Sequence, residues 1–115
     1  MCALCTQGFC IFAKNNVMIK RLVKLTFQED KIEDFKDIFE ASKDKIKAME
    51  GCEHVEVLQD IAQPKVFFTL SIWDTEGSLN KYRDSELFKT TWANTKILFS
   101  DKPMAWSTEM VSQAE

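Results

Sequence analysis

The sequence predicts an α+β domain in which one four-stranded antiparallel sheet carries helices on a single face, in the order βαββ(αα)β. Three observations predict it. Residues 18–27 alternate apolar and polar side chains, as a strand with one buried face does. Residues 29–49 change to helical spacing. Residues 65–73 carry large apolar side chains on both faces, so that strand needs packing partners above and below it.

In the first strand Ile19, Val23, Leu25 and Phe27 share a face that Arg21 interrupts, with Lys20, Lys24 and Thr26 opposite. In the long helix Ile32, Phe35, Phe39, Ser42, Ile46 and Met49 step by 3, 4, 3, 4 and 3, which makes one stripe. Asp30 followed by Glu33 has the pattern of a capping box. Acids fill the first turns and Lys43, Lys45 and Lys47 the last, matching the helix dipole. Gly51 stops the helix at the usual left-handed position.

Residues 52–60 form a second strand, with Val55 and Val57 on one face and His54, Glu56 and Leu58 on the other. Residues 61–64 turn the chain, Pro64 supplying a fixed φ. The third strand, residues 65–73, sets Val66, Phe68, Leu70 and Ile72 against a mixed face of Phe67, Thr69, Ser71 and Trp73. Asp74-Thr75 opens a short helix bearing Leu79 and Tyr82. Asp84-Ser85 opens another, with Phe88, Trp92, Thr95 and Phe99 at steps of 4, 3 and 4. Pro103 ends it, because the residue before a proline avoids the helical region. Met104, Trp106, Thr108 and Met110 alternate as a last strand over residues 104–110. This order is a split βαβ unit, a ferredoxin-like fold.

Helices in this topology cover one face of the sheet. An uncovered face bearing Val66, Phe68, Leu70 and Ile72 exceeds the few hundred Å² of apolar patch that a monomer tolerates. Each such side chain gains roughly 1.5–3 kcal/mol when buried. A second copy, packed sheet face to sheet face, answers that need, and a homodimer is expected. The alternative cover is the segment of residues 1–17 folded over the same face.

The 15 Lys and Arg against 18 Asp and Glu give a net charge of −3, with no basic block, which argues against nucleic acid as a partner. No apolar run approaches the ~20 residues of a bilayer span and no signal-peptide pattern is present, so the expected location is the cytoplasm. The four cysteines are Cys2, Cys5, Cys10 and Cys52. Cys2 and Cys5 have a metal-site spacing, yet a structural zinc takes four ligands, often as two pairs, and only Cys10, Cys52 and His54 remain to complete it. No metal and no cofactor are expected. Residues 1–17 read as an N-terminal extension, flexible or upstream of a natural start at Met18, ahead of a domain over residues 18–115.

The run from Trp73 through Asp74-Thr75, Leu79, Tyr82 and Ser85 to Phe88 resembles the antibiotic-biosynthesis-monooxygenase family, in which a strand ends in Trp, a polar cap follows, and Leu, an aromatic or His, Ser and Phe come next. Gly51-Cys52 after the first helix and the element order are similar as well. The resemblance covers residues 18–110. It implies a dimeric α+β barrel with a cleft in each protomer between sheet and helices. Polyketide-tailoring members oxidise aromatic substrates with O₂ and neither metal nor flavin, using an Asn, a Trp, a Tyr and an Arg. Trp73 matches that Trp, the Asn falls at Thr69 and the Tyr at Leu79, and the Arg has no counterpart. Haem-degrading members bind iron through a His that falls at Trp92, beside a Trp that falls at Tyr82. The missing ligand disfavours haem degradation.

Two functions are therefore expected in competition. The first is a cofactor-independent, monooxygenase-like enzyme, or an isomerase of similar build, acting on a small aromatic or enolisable molecule. In it Trp73, Tyr82 and His54 are the catalytic candidates, and Thr69, Ser71, Phe88 and Trp92 contact the substrate. The second is a non-catalytic binding or structural homodimer of the same fold, in which Trp73, Phe88 and Trp92 are core aromatics. His54 is the only histidine. It reads either as a base titrating near neutrality or as an exposed strand residue. Tyr82 brings a phenol that donates to a substrate oxygen or packs as a half-exposed core residue. Arg83 lies ~100° around the helix from it, toward solvent or an acid.

Overall fold

The computed structural model describes residues 17–114. Cys2, Cys5, Cys10 and the expected extension lie outside the described residues, apart from Val17 at its end. Four strands and three helices follow in the expected order: β1 (Ile19–Thr26), α1 (Ile32–Lys47), β2 (Cys52–Gln59), β3 (Val66–Trp73), α2 (Glu76–Arg83), α3 (Glu86–Lys96) and β4 (Met104–Thr108). The sheet order is β2-β3-β1-β4, and every neighbouring pair is antiparallel. Each helical connection therefore passes over one intervening strand, giving two interlocked split βαβ units.

Register decides what each face carries. On β3, Phe67, Thr69, Ser71 and Trp73 stand opposite Leu25, Val23, Arg21 and Ile19 of β1. These side chains point toward the helices and build two core clusters. Leu25, Phe27, Phe35, Phe67 and Leu98 form one; Ile46, Cys52, Trp73 and Leu79 form the other. Among the described residues no helix covers the opposite face. Leu70 lies there between Leu22 and Glu56, and Trp106 lies beyond Leu22, so a row runs across all four strands. Leu58, Met104 and Trp106 remain 42–51% exposed on it.

Two local expectations are corrected. The Asp30–Glu33 capping box is not made: α1 is entered through a 3₁₀ turn over Glu29–Lys31, and neither Gln28 nor Lys31 makes a side-chain cap. Phe27 pairs with Phe99, and the Gln28 amide donates to the Leu98 carbonyl. Those long-range bonds fix the entry angle instead. The last strand stops at Thr108, and Met110 lies beyond it, exposed. Elsewhere the caps follow the sequence. Thr75 Oγ1 accepts from the Ser78 amide and Ser85 Oγ from the Phe88 amide, each at 3.1 Å. Gly51 has φ +83°, the left-handed conformation that glycine adopts without strain.

Candidate functional site

A cavity of about 380 Å³ lies between the sheet and the helix layer, within the range of small-molecule sites. Leu25 and Phe35 reach it from one core cluster, Ile46 and Leu79 from the other. Its floor is two rows of the sheet. Val23 faces Thr69 and Ala105 in one row; Arg21 faces Ser71 and Ser107 in the next, with Val55 beyond Ser71. Its roof comes from Tyr82 and Arg83 of α2 and Phe88, Trp92 and Thr95 of α3.

Three aromatic rings, Tyr82, Phe88 and Trp92, run along one side as a continuous wall, with Trp73 stacked behind them. Trp73 stacks on Tyr82 with centroids 5.0 Å apart and planes 21° from parallel. Tyr82 meets the edge of Phe88 at 5.2 Å, and Phe88 stacks on Trp92 at 5.9 Å and 8°. The local sequence explains this arrangement. Trp73 ends β3, Thr75 caps the next helix, and Tyr82 comes seven residues later, two turns on, above the strand it left. Trp73 is fully buried, and its indole Nε1 donates to Ser71 Oγ at 2.9 Å. It stands behind Tyr82 rather than in the cavity lining.

The polar groups within this apolar space are few. Burial, and secondarily the nearby Cys52 thiol, pushes the Tyr82 phenol up to about 12. At neutral pH it is therefore a hydrogen-bond donor and not a base. Ser71 accepts from Trp73, which leaves its own hydroxyl proton to offer upward. Arg21 donates from Nη1 to Ser107 Oγ at 2.9 Å. Its pKa is lowered by burial and by the positive charge of Arg83. Among the described residues no Asp, Glu or His lines the cavity.

His54 is on the other side of the sheet. A bulge between Cys52 and His54 leaves Cys52 opposite Trp73, toward the helices, and His54 opposite Ile72, on the open face. There its Nε2 lies 2.6 Å from Glu56 Oε1. The sheet separates it from the cavity, which removes it from any cluster with Tyr82 and Thr69. Arg83, expected toward solvent or an acid, lines the cavity and donates to Asn80 Oδ1 at its exposed end, and among the described residues it makes no ion pair. Arg21 was legible only as a break in an apolar strand face.

The antibiotic biosynthesis monooxygenase family model matches residues 18–94. The chain belongs to that family. No match emerges among curated proteins. Solved structures share the fold of this antibiotic biosynthesis monooxygenase family member. A Caulobacter crescentus protein named for the same family has a TM-score of 0.80 and 18% identity, over 90% of this chain and 99% of that one. One from Nitrosomonas europaea, also so named, gives 0.79 and 14% over 84% and 92%. A conserved protein from Methanosarcina mazei gives 0.78 and 19% over 85% and 97%. At such identities the likeness is one of fold.

The positions at which the antibiotic biosynthesis monooxygenase resemblance placed chemistry do converge. Thr69, Leu79, Tyr82 and Trp92 all line the one cavity, and Trp73 backs it. Phe88 and Ser71 join them. Among the described residues no three His, Cys, Asp or Glu side chains gather as a metal site, and no helix is long and apolar enough to cross a membrane.

Proposed function

We propose that this protein is a cofactor-independent, monooxygenase-like enzyme that oxidises a small aromatic or enolisable molecule in the cavity, and that it works as a homodimer joined through the open sheet face. The observation that carries the reading is an aromatic-walled cavity holding a neutral phenol and the Ser71 hydroxyl among apolar side chains. A flat, electron-rich ring fits against Phe88 and Trp92. Tyr82 and Ser71 then donate to its oxygen substituents and fix which carbon faces the remaining space.

The chemistry is that of the substrate. An activated CH₂ reacts with O₂ to give C=O and H₂O: the substrate supplies four electrons, one oxygen atom enters the carbonyl and the other leaves as water. The protein holds the electron-rich form dry and oriented. Oxygen uptake with anthrones, both unsubstituted and carrying a carboxylate, tests this. Protein-dependent consumption of one O₂ per substrate is expected, slowed roughly 10²-fold in Tyr82→Phe by loss of a donor to the developing oxyanion. Uptake no faster than without protein, across the series, rules the enzyme out. The binding-module reading would then stand, favoured by the lack of a general base among the described residues of the cavity lining.

A further inference from the structure

Taking the cavity as the substrate site proposed above, we infer that its ligand enters as an anion, a flat apolar body bearing one ionised oxygen group that sits between Arg21 and Arg83. Both arginines line the cavity, one from the middle of β1 and the other from the last turn of α2. Among the described residues neither pairs with a carboxylate. Arg21 finds only the Ser107 hydroxyl and Arg83 only the Asn80 side-chain carbonyl. A guanidinium carries five donors, so one neutral acceptor leaves each arginine with most of its donors free.

Two like charges facing one apolar space repel; the Arg21 pKa is depressed first by burial and second by the charge of Arg83. Arg21 moreover occupies a strand position where Ile19, Val23, Leu25 and Phe27 set an apolar pattern. A half-buried cation at such a site, unpaired and next to a second, loses stability unless something negative joins it. An anionic oxygen between them relieves both the desolvation and the repulsion, and charge-assisted bonds from guanidinium are the strong ones.

The chemistry of the cavity points the same way. Tyr82 is held neutral, His54 is across the sheet, and no carboxylate lines the space. Among the described residues no group there removes a proton. A ligand that needs to be electron-rich must bring its negative charge with it, and the two arginines select the ionised form. Carboxylates and acidic phenols or enols share this chemistry.

Titration calorimetry at pH 7 with three matched probes tests it: 2-naphthoate for a carboxylate, 2,4-dinitro-1-naphtholate for an ionised hydroxyl, and 2-naphthamide as the neutral control. At least one anion is expected to bind tenfold or more tighter than the amide, and added salt should erode that preference. Arg21→Gln and Arg83→Gln should each weaken the anion roughly tenfold and the amide far less, and continued amide binding shows the cavity intact. Arg83→Lys should retain part of the preference. Equal binding of anions and amide, or a preference that survives both Gln substitutions, overturns the inference while leaving the cavity as a binding site. Failure of all three to bind overturns it together with the small-molecule reading. An anion preference without oxygen uptake sinks only the enzyme.

Discussion

Trp73 lies directly behind Tyr82, its ring stacked 5.0 Å away, and hydrogen-bonds the Ser71 hydroxyl through its indole nitrogen. One buried side chain thus sets the position of two cavity groups on different elements. Trp73→Phe keeps an aromatic ring but opens a void and removes the donor. A loss of roughly 2 kcal/mol is expected, below the 3–5 typical of truncating a large aromatic to Ala, read as a lower urea midpoint. If catalysis occurs, it should fall as well, because Ser71 and Tyr82 both lose a fixed partner. An unchanged midpoint would show that Trp73 packs no better than a smaller ring.

Tyr82 is the only tyrosine, so its ionisation is read directly from the absorbance of tyrosinate near 295 nm. The folded protein should titrate close to pH 12, against about 10 when unfolded. The folded pKa is the higher one, so the unfolded state releases its proton first. Stability from this group is whole below pH 10 and is lost as pH rises toward 12. Tyr82→Phe should flatten that decline relative to the wild type. A folded-state midpoint near 10 would place the phenol in water.

Much of this was legible in the chain because periodicity reports burial. The step from period two to the 3, 4, 3 spacing of Ile32, Phe35, Phe39 and Ser42 is a physical consequence of which face meets the core. Helix starts were legible where a single side chain makes the cap, at Thr75 and Ser85, and illegible at Asp30, where pairing of Phe27 with Phe99 overrides it. The site was harder. Alternation along β2 sets His54 apart from Val55, but only the register, Val55 opposite Ser71, tells which set meets the cavity. Arg21 broke an apolar pattern visibly; that a space lay above it, shared with Arg83, depends on how α2 crosses the sheet.

Gly51 joins α1 to β2 with φ +83°, and a methyl group there would collide with the side chains of Asp74 and Ser78. The same turn is held by the Asp74 amide, which donates to the Gly51 carbonyl at 2.8 Å. Gly51→Ala combines left-handed strain with a steric conflict, and a destabilisation of about 2–3 kcal/mol is expected in urea unfolding. Because Asp74 and Thr75 start α2, the substitution should also disturb Tyr82, visible as a lowered tyrosinate midpoint. A change under ~0.5 kcal/mol, the usual scatter of surface substitutions, would mean the turn relaxes without cost.

The open sheet face decides whether the chain pairs. Leu70 stands in the middle of it, with Leu22 and then Trp106 in the same row, and the helices lie on the other side. Leu70→Asp places a charge at the centre of the proposed contact while leaving the cavity face untouched, so the protomer itself should stay folded. Sedimentation is expected to give a wild-type particle of twice the 13.3 kDa chain mass and a variant of single mass. Burying an unpaired carboxylate costs several kcal/mol, enough to break an interface held by apolar contact. A wild type that sediments as one chain, or a variant that remains paired, would put the contact elsewhere.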